Sequence, residues 1–178
     1  MGWEEELFTL FEDLEHQAGA LWAAEAAPEL ADRSRTEYRS VTLASRLMAA
    51  VDGEVTVEVA GVGTLTGRLD RVASGWLLLS VADQDWVVVE RAVVSAVVGT
   101  DRAVPEVAWP AVASLGVSSV LRRLADAGER CVLRSRSGHE VTGVPHRVGA
   151  DFVEVLAGEP ARSVLVGLGD LAAVQSRR

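Results

Sequence analysis

A thirteen-residue stretch occurs twice in this chain, first as GRLDRVASGWLLL (residues 67–79) and again as GVPHRVGADFVEV (residues 143–155). A shift of 76 positions superposes the glycines that open the two copies and places Trp76 on Phe152. Each copy has alternating apolar residues on both sides of a central turn, a pattern typical of strand, turn and strand. We therefore predict an internal repeat in which each aromatic residue fills the interior of its own half.

Short alternating segments surround both copies and predict five strands in each repeat. We assign residues 41–99 to the first repeat, residues 100–117 to a linker that contains Pro and Trp, and residues 118–178 to the second repeat. A shift of 77 positions is expected to align the preceding helices and to place Val55 on Val132. Units of five short strands with tight turns predict small barrels.

Proline and serine residues add two local predictions to the second repeat. Pro145 falls inside its second strand and predicts an edge or a bulge there. Ser118 or Ser119 is expected to cap the helix that continues to Gly128.

The repeat resembles the Sm-like form of the SH3-like barrel through the motif G-x-L-x-x-h before a turn. Gly67, Leu69 and Val72 match this motif in the first copy, and Gly143 and Val148 match it in the second. The resemblance implies a mainly β fold with α: two tandem SH3/Sm-like five-stranded barrels, each preceded by a helix, and an N-terminal helical extension.

The two copies depart from the Sm pattern where that family contacts RNA. The Asp position is Ala73 in one copy and Gly149 in the other, and the Asn position that contacts RNA bases in Sm proteins is Leu77 and Val153. The resemblance therefore implies the fold without its RNA contacts. The whole arrangement also resembles a family of uncharacterised actinobacterial proteins with an acidic N-terminal helix.

Residues 1–40 are predicted to form an acidic amphipathic helical extension. Its apolar residues recur at spacings of three and four, and a second helical pattern covers residues 29–50. Nine of the 26 acidic residues and none of the 17 basic ones lie in residues 1–32. The apolar stripe needs a partner surface, so we expect it to dock or to oligomerise. The expected partner-binding residues are Trp3, Leu7, Phe11, Leu14 and Trp22.

The charge balance bears on partners. A net charge of −9 disfavours nucleic acid and anionic membranes, because phosphate binding needs clustered positive charge. We expect a protein partner or a second copy of the chain, and no membrane. Arg134 and Arg136 are expected to share a strand face and to contact an anion or an acidic partner.

No residue pattern predicts catalysis, a cofactor or a metal site. The three His residues are scattered, and Cys131, the only cysteine, precedes apolar strand residues that predict a buried, inert thiol. The chain has no apolar run of about 18 residues and no basic, apolar leader, so we expect a cytoplasmic protein.

Three classes of function follow from these patterns. We favour a non-enzymatic interaction or scaffold module that acts through its N-terminal helix. The alternative is a nucleic-acid-associated Sm-like regulator that binds RNA or DNA. A small-ligand protein or an enzyme that uses the cleft between the barrels ranks third.

Overall fold

The computed structural model describes residues 38–176, and its residues from Thr42 onward belong to one compact unit. This part of the chain contains two α-helices and ten strands. The helices are α1 (Leu43–Met48) and α2 (Val117–Ala127), and the strands are β1 (Glu54–Val59), β2 (Gly63–Ala73), β3 (Trp76–Val81), β4 (Gln84–Val89), β5 (Val93–Val98), β6 (Cys131–Ser135), β7 (Glu140–Val148), β8 (Phe152–Ala157), β9 (Arg162–Gly167) and β10 (Leu171–Ser176). No helix within these residues is long and apolar enough to cross a membrane.

All ten strands belong to one antiparallel sheet with the order β5-β1-β2-β3-β4-β10-β6-β7-β8-β9. The first half, β1–β5, and the second half, β6–β10, therefore have the same internal order, with the fifth strand beside the first. The prediction of a mainly β fold with helices is confirmed. The sheet is not closed, so the finer prediction of two separate barrels is not confirmed.

The irregularities of the sheet repeat as well. The pairing of β2 with β3 shifts between Leu69 and Arg71, and the pairing of β7 with β8 shifts between Pro145 and Arg147. These positions are 76 residues apart. A bulge lets a strand bend sharply, so both halves bend at the same place. The bulge predicted from Pro145 is confirmed.

The strand registers correct the offset that we expected at the start of each half. Val55 lies opposite Gly67, and Cys131 lies opposite Gly143. Val55 is therefore equivalent to Cys131, and the prediction that placed it on Val132 is wrong by one residue. A shift of one residue along a strand moves a side chain to the opposite face of the sheet. The residue at the fully buried position is therefore Cys131.

Gly67 and Gly143 recur because the backbone of the neighbouring strand passes too close for a side chain. A Cβ atom at Gly67 would overlap the carbonyl oxygen of Ser80, and one at Gly143 would overlap that of Leu156. Each glycine lies shortly before the bulge of its strand. The glycine shared by the two copies is thus required because the neighbouring strands pack closely there.

The helices differ in detail from the predicted ones. Residues 29–37 of the helix predicted over residues 29–50 lie outside the described residues. In the described part α1 begins only at Leu43, because Thr42 is extended and its Oγ1 accepts a hydrogen bond from the Ser45 amide at 3.1 Å as the cap. At α2 the capping residue is Gly116, so the predicted serine cap is wrong. Gly128 ends this helix in the left-handed conformation, as its type favours.

Two apolar cores lie on the sheet, and each contains residues from both halves. The first core packs α1 through Leu47 against Leu69 and Leu79, and it includes Ala172 and Ala173 of β10. The second core is built around α2 and β6. Its members from β2, β3 and β4 are Ala73, Trp76, Val87 and Val89. The halves therefore share their interiors.

Candidate functional site

The two halves are joined by β4 and β10, a pairing that we call the internal junction. The paired residues are Trp86 with Gln175, Val87 with Val174, and Val88 with Ala173. All six are buried. The fourth strand of the first half and the fifth strand of the second half therefore form a buried, mostly apolar seam.

Two side-chain hydrogen bonds join the two halves at the internal junction. Gln175 Nε2 donates a hydrogen bond to Gln84 Oε1, and Arg91 Nη2 donates one to the carbonyl oxygen of Leu168. Each bond joins a residue of the first half to a residue of the second half. These hydrogen bonds between part-buried groups favour the observed register of the seam.

Arg134, one of the two predicted anion contacts, lies on β6 next to this seam. Its guanidinium carbon is 5.5 Å from the centroid of the Trp86 ring, within the range of a cation–π contact. Nη1 donates to Glu140 Oε1, and Nη2 lies 3.4 Å from Gln175 Oε1. Arg134 thus joins the two halves, and its contact with an external anion stays a prediction.

Arg136 lies one residue beyond the end of β6, so it does not share a strand face with Arg134. Its Nη2 donates to the carbonyl oxygen of Gly169 at 3.1 Å, and its Nε is 3.7 Å from Asp170 Oδ1. These contacts hold the β6–β7 turn against the turn before β10. A contact of Arg136 with an acidic partner also stays a prediction.

Among the described residues, β5 and β9 are the outer strands of the sheet, and we call them its open edges. The registers place Leu165 on β9 at the position of Val87 on β4, and Val97 on β5 at the position of Gln175 on β10. Leu165 is 66% exposed where Val87 is 8% exposed, and Val97 is 70% exposed where Gln175 is 8% exposed. The exposed apolar residues are thus the counterparts of residues that the internal junction buries.

The open edges have few of the features with which edge strands usually avoid pairing, although the pairing of β5 with β1 shifts at Val94, as in a bulge. β5 has the sequence VVSAVV without a charge or a proline, and β9 carries only Arg162, at its first position. Edge strands of monomeric proteins are commonly protected by charges, prolines or bulges. Val94 adds a further exposed apolar side chain to β5. Within the part of the chain that the structure describes, no strand pairs with the outer side of either edge.

The repeated aromatic residues occupy different surroundings, which corrects the expectation that each fills its own half. Trp76 is buried in the second core, and its Nε1 donates to the carbonyl oxygen of Leu115 at 2.6 Å. Phe152 is only half-buried and lies against Gly149, where a Cβ atom would overlap its ring. The reason is positional: the second half covers Trp76, while Phe152 lies near the open edge β9.

Ser137, His139 and Asp170 come together at the β6–β7 turn, beside a groove of about 220 Å³. Ser137 Oγ is 3.1 Å from His139 Nδ1 and donates to Asp170 Oδ2 at 2.8 Å. The Ser137 hydrogen bond is the main cause of the lowered pKa of Asp170. In a catalytic triad the acid orients the imidazole; here the acid and the imidazole both contact the serine. The group is a turn network without the geometry of an activated nucleophile.

A second cavity of about 380 Å³ lies among α1, the linker and the β2–β3 turn. Its lining includes Trp109 and two carboxylates, Glu90 and Glu106. Burial raises the pKa of Glu90, and the charge of Glu106 raises it further. The linker Trp109 closes one side and donates from Nε1 to the carbonyl oxygen of Val104 at 2.9 Å. The cavity thus places two carboxylates beside an indole ring, in a volume within the range of small-molecule sites.

Cys131 is fully buried, as the sequence predicts. Burial raises the pKa of its thiol to about 11, and the nearby charge of Glu129 adds to the effect. A thiol that stays protonated at neutral pH is a poor nucleophile and a poor metal ligand. Within residues 38–176, no cluster of three or more His, Cys, Asp and Glu residues is placed to hold a metal ion.

The predicted partner-binding residues Trp3, Leu7, Phe11, Leu14 and Trp22 lie outside the described residues. Sequence reasoning missed the open edges. The signal was present in β5, because a run of valines without a charge is unusual for an edge strand. A comparison with models of known protein families and with curated proteins finds no match.

Proposed function

We propose that this protein is a non-enzymatic protein-interaction or scaffold module that binds through the open edges of its sheet. The observation that carries the proposal is the exposure of Val94, Val97 and Leu165 on two edge strands. The outward N–H and C=O groups of an edge strand are free to extend the sheet with another chain. The exposed apolar side chains would then be buried as their counterparts in the internal junction are.

For the fold we propose that each half is a strongly bent five-stranded unit of the SH3/Sm-like kind. The supporting observations are the repeated strand order, the bulges at Leu69–Arg71 and Pro145–Arg147, and the two glycines that permit close packing before them. In this proposal the internal junction links two such units edge to edge into one sheet.

The N-terminal segment has a separate place in the proposal. We keep the amphipathic stripe that includes Leu7, Phe11 and Leu14 as a docking element for another protein. Its acidic residues would favour a basic partner surface and speed the encounter. Exchange of Leu7 and Leu14 for Glu is expected to abolish that docking and to leave the sheet edges unaffected.

Photo-crosslinking in the native cell tests the proposal for the edges. A photoreactive amino acid replaces Val97 on β5 or Leu165 on β9 in the full chain, and the adducts are identified by mass spectrometry. Thr64 on the internal strand β2 is the matched control, because it is exposed but its strand is paired on both sides.

We expect protein adducts at positions 97 and 165 that are much stronger than those at position 64. Adducts with nucleic acid at these positions would favour the regulator alternative. Equal adducts at all three positions would contradict a function that depends on the edges.

A further inference from the structure

The two open edges are the counterparts of the two strands that pair at the internal junction. We propose that β9 of one copy pairs with β5 of a second copy, in the antiparallel register of the internal junction. This inference rests on the proposed function, because it names the partner of the same edges. It commits to a second copy of this chain as the occupant.

The argument starts from the equivalence of the strands. The internal junction pairs the fourth strand of one half with the fifth strand of the other half. β9 is the fourth strand of the second half and β5 is the fifth strand of the first half, and within residues 38–176 each is paired on one side only. Each molecule therefore presents, at opposite ends of its sheet, the two components of a contact that it already makes internally.

The register of the proposed contact follows from the internal one. A shift of 78 positions relates β4 to β9 and β5 to β10, as the strand registers of the two halves give. The predicted pairs across two copies are Ser95 with Val166, Ala96 with Leu165, and Val97 with Val164. Five of these six residues are apolar and the sixth is serine, so the contact removes apolar surface from water without leaving a buried charge.

The surroundings of Phe152 support the same contact. Its counterpart Trp76 is buried because the following half packs against the end of β3. Among residues 38–176 Phe152 has no such cover, and it is half-buried. A second copy on β9 would supply the missing cover, just as the second half does for Trp76.

The contact between copies is expected to be weaker than the internal junction, because it lacks counterparts of the hydrogen bond and the cation–π contact that join the halves there. The counterparts of Gln84 and Gln175 are Arg162 and Val97, which do not form an amide pair. The counterparts of Arg134 and Trp86 are Glu58 and Val164, which form no cation–π contact. The association is therefore expected to be reversible on dilution, whereas the internal junction is not.

The contact joins unlike surfaces, so it is heterologous. A heterologous contact repeats from copy to copy and gives a ring if the rotation closes, or an open fibre if it does not. A contact of β5 with β5 would instead give a symmetric dimer and leave β9 exposed. The two arrangements are separable by experiment.

Disulfide crosslinking between different copies provides the test. One full-length chain carries Ser95→Cys and another carries Val166→Cys, and the two are mixed and oxidised. A second pair carries Ala96→Cys and Leu165→Cys, because only one of two adjacent pairs has the closer, non-hydrogen-bonded spacing. The matched control mixes Ser95→Cys with Val164→Cys, which is two residues out of register and too distant to bridge. The unmodified chain controls for Cys131.

We expect a crosslinked dimer in at least one mixture that is in register and none in the control mixture. Crosslinking of Ser95→Cys with itself, or equal yields in and out of register, would overturn the inference. Absence of crosslinks in both in-register mixtures would also overturn it. If photo-crosslinking at positions 97 and 165 then captures a different protein, the proposed function stands and only the identity of the partner is wrong.

Discussion

The guanidinium of Arg134 lies over the ring of Trp86 at 5.5 Å from its centroid, so a cation of the second half covers an indole of the first half. The same arginine pairs with Glu140. The first contact joins the two halves beside the internal junction, which is the only direct strand pairing between the halves among residues 38–176. The stability of the described sheet therefore depends on a few side chains at this seam.

Loss of the Arg134 side chain is expected to destabilise the protein. Arg134→Gln removes the cation–π contact and the pair with Glu140, at a cost of about 1–2 kcal/mol in the free energy of unfolding. Arg136→Gln is the control, because Arg136 makes only exposed contacts and should change that free energy by about 0.5 kcal/mol or less. Urea unfolding measures both, and equal losses would contradict a special role for Arg134.

The glycines of the repeated motif are expected to resist substitution. Gly67→Ala or Gly143→Ala forces a Cβ atom against a strand carbonyl, which should cost about 1–3 kcal/mol or more in stability. Gly99→Ala serves as the control, because nothing lies within 4 Å of a Cβ atom there. Thermal or urea unfolding distinguishes them. A stable Gly67→Ala variant would show that the strands do not pass as closely as described.

The two repeated aromatic residues are expected to differ in their contribution. Trp76→Ala removes a buried indole and its hydrogen bond to Leu115, at a cost of about 3–5 kcal/mol. Phe152→Ala should cost about 1–2 kcal/mol in dilute protein, because the ring is only half-buried. The unfolding free energies of the two variants are the readout. Similar losses would mean that the two residues have equivalent surroundings after all.

The thiol of Cys131 gives a prediction for alkaline pH. Burial raises its pKa from 9.0 to about 11, so between these values the unfolded chain loses the thiol proton before the folded chain does. Stability is therefore fully present below pH about 9 and falls as the pH rises toward about 11, by up to about 3 kcal/mol.

Unfolding measured across that pH range checks the prediction, with Cys131→Ala as the control that lacks this dependence. The background is low, because the chain has no Lys and a single Tyr. A Cys131→Ala variant with the same decline in stability would assign the effect to other groups.

Much of the local structure was predictable from the sequence because local patterns determine it. The alternation of valines marks β1, and the repeated glycines mark the bent strand of each half. The bulge at Pro145 follows from the missing N–H of that residue. The equivalent bulge after Leu69 has no proline and was not predicted, because no residue type there marks it.

The arrangement of the halves was not predictable in the same way. The internal junction joins residues about 90 positions apart, such as Val87 and Val174, and no local signal encodes such a pairing. This pairing also buries Trp76 under the second half, whereas Phe152 has no following half against it in the described part of the chain. The aromatic residues thus share a place in the repeat but differ in burial.

The most direct test of the head-to-tail contact is the mass of two edge variants, alone and mixed, by light scattering. Val97→Lys blocks β5 and leaves β9 intact, while Leu165→Lys blocks β9 and leaves β5 intact, because a lysine at the seam cannot be buried unpaired. We expect each variant alone to show a lower mass than the unmodified chain, and their equimolar mixture to show twice the mass of either variant. The double variant and Thr64→Lys are the controls. A mixture with no higher mass than its components, or variants that retain the mass of the unmodified chain, would contradict the pairing of β9 with β5.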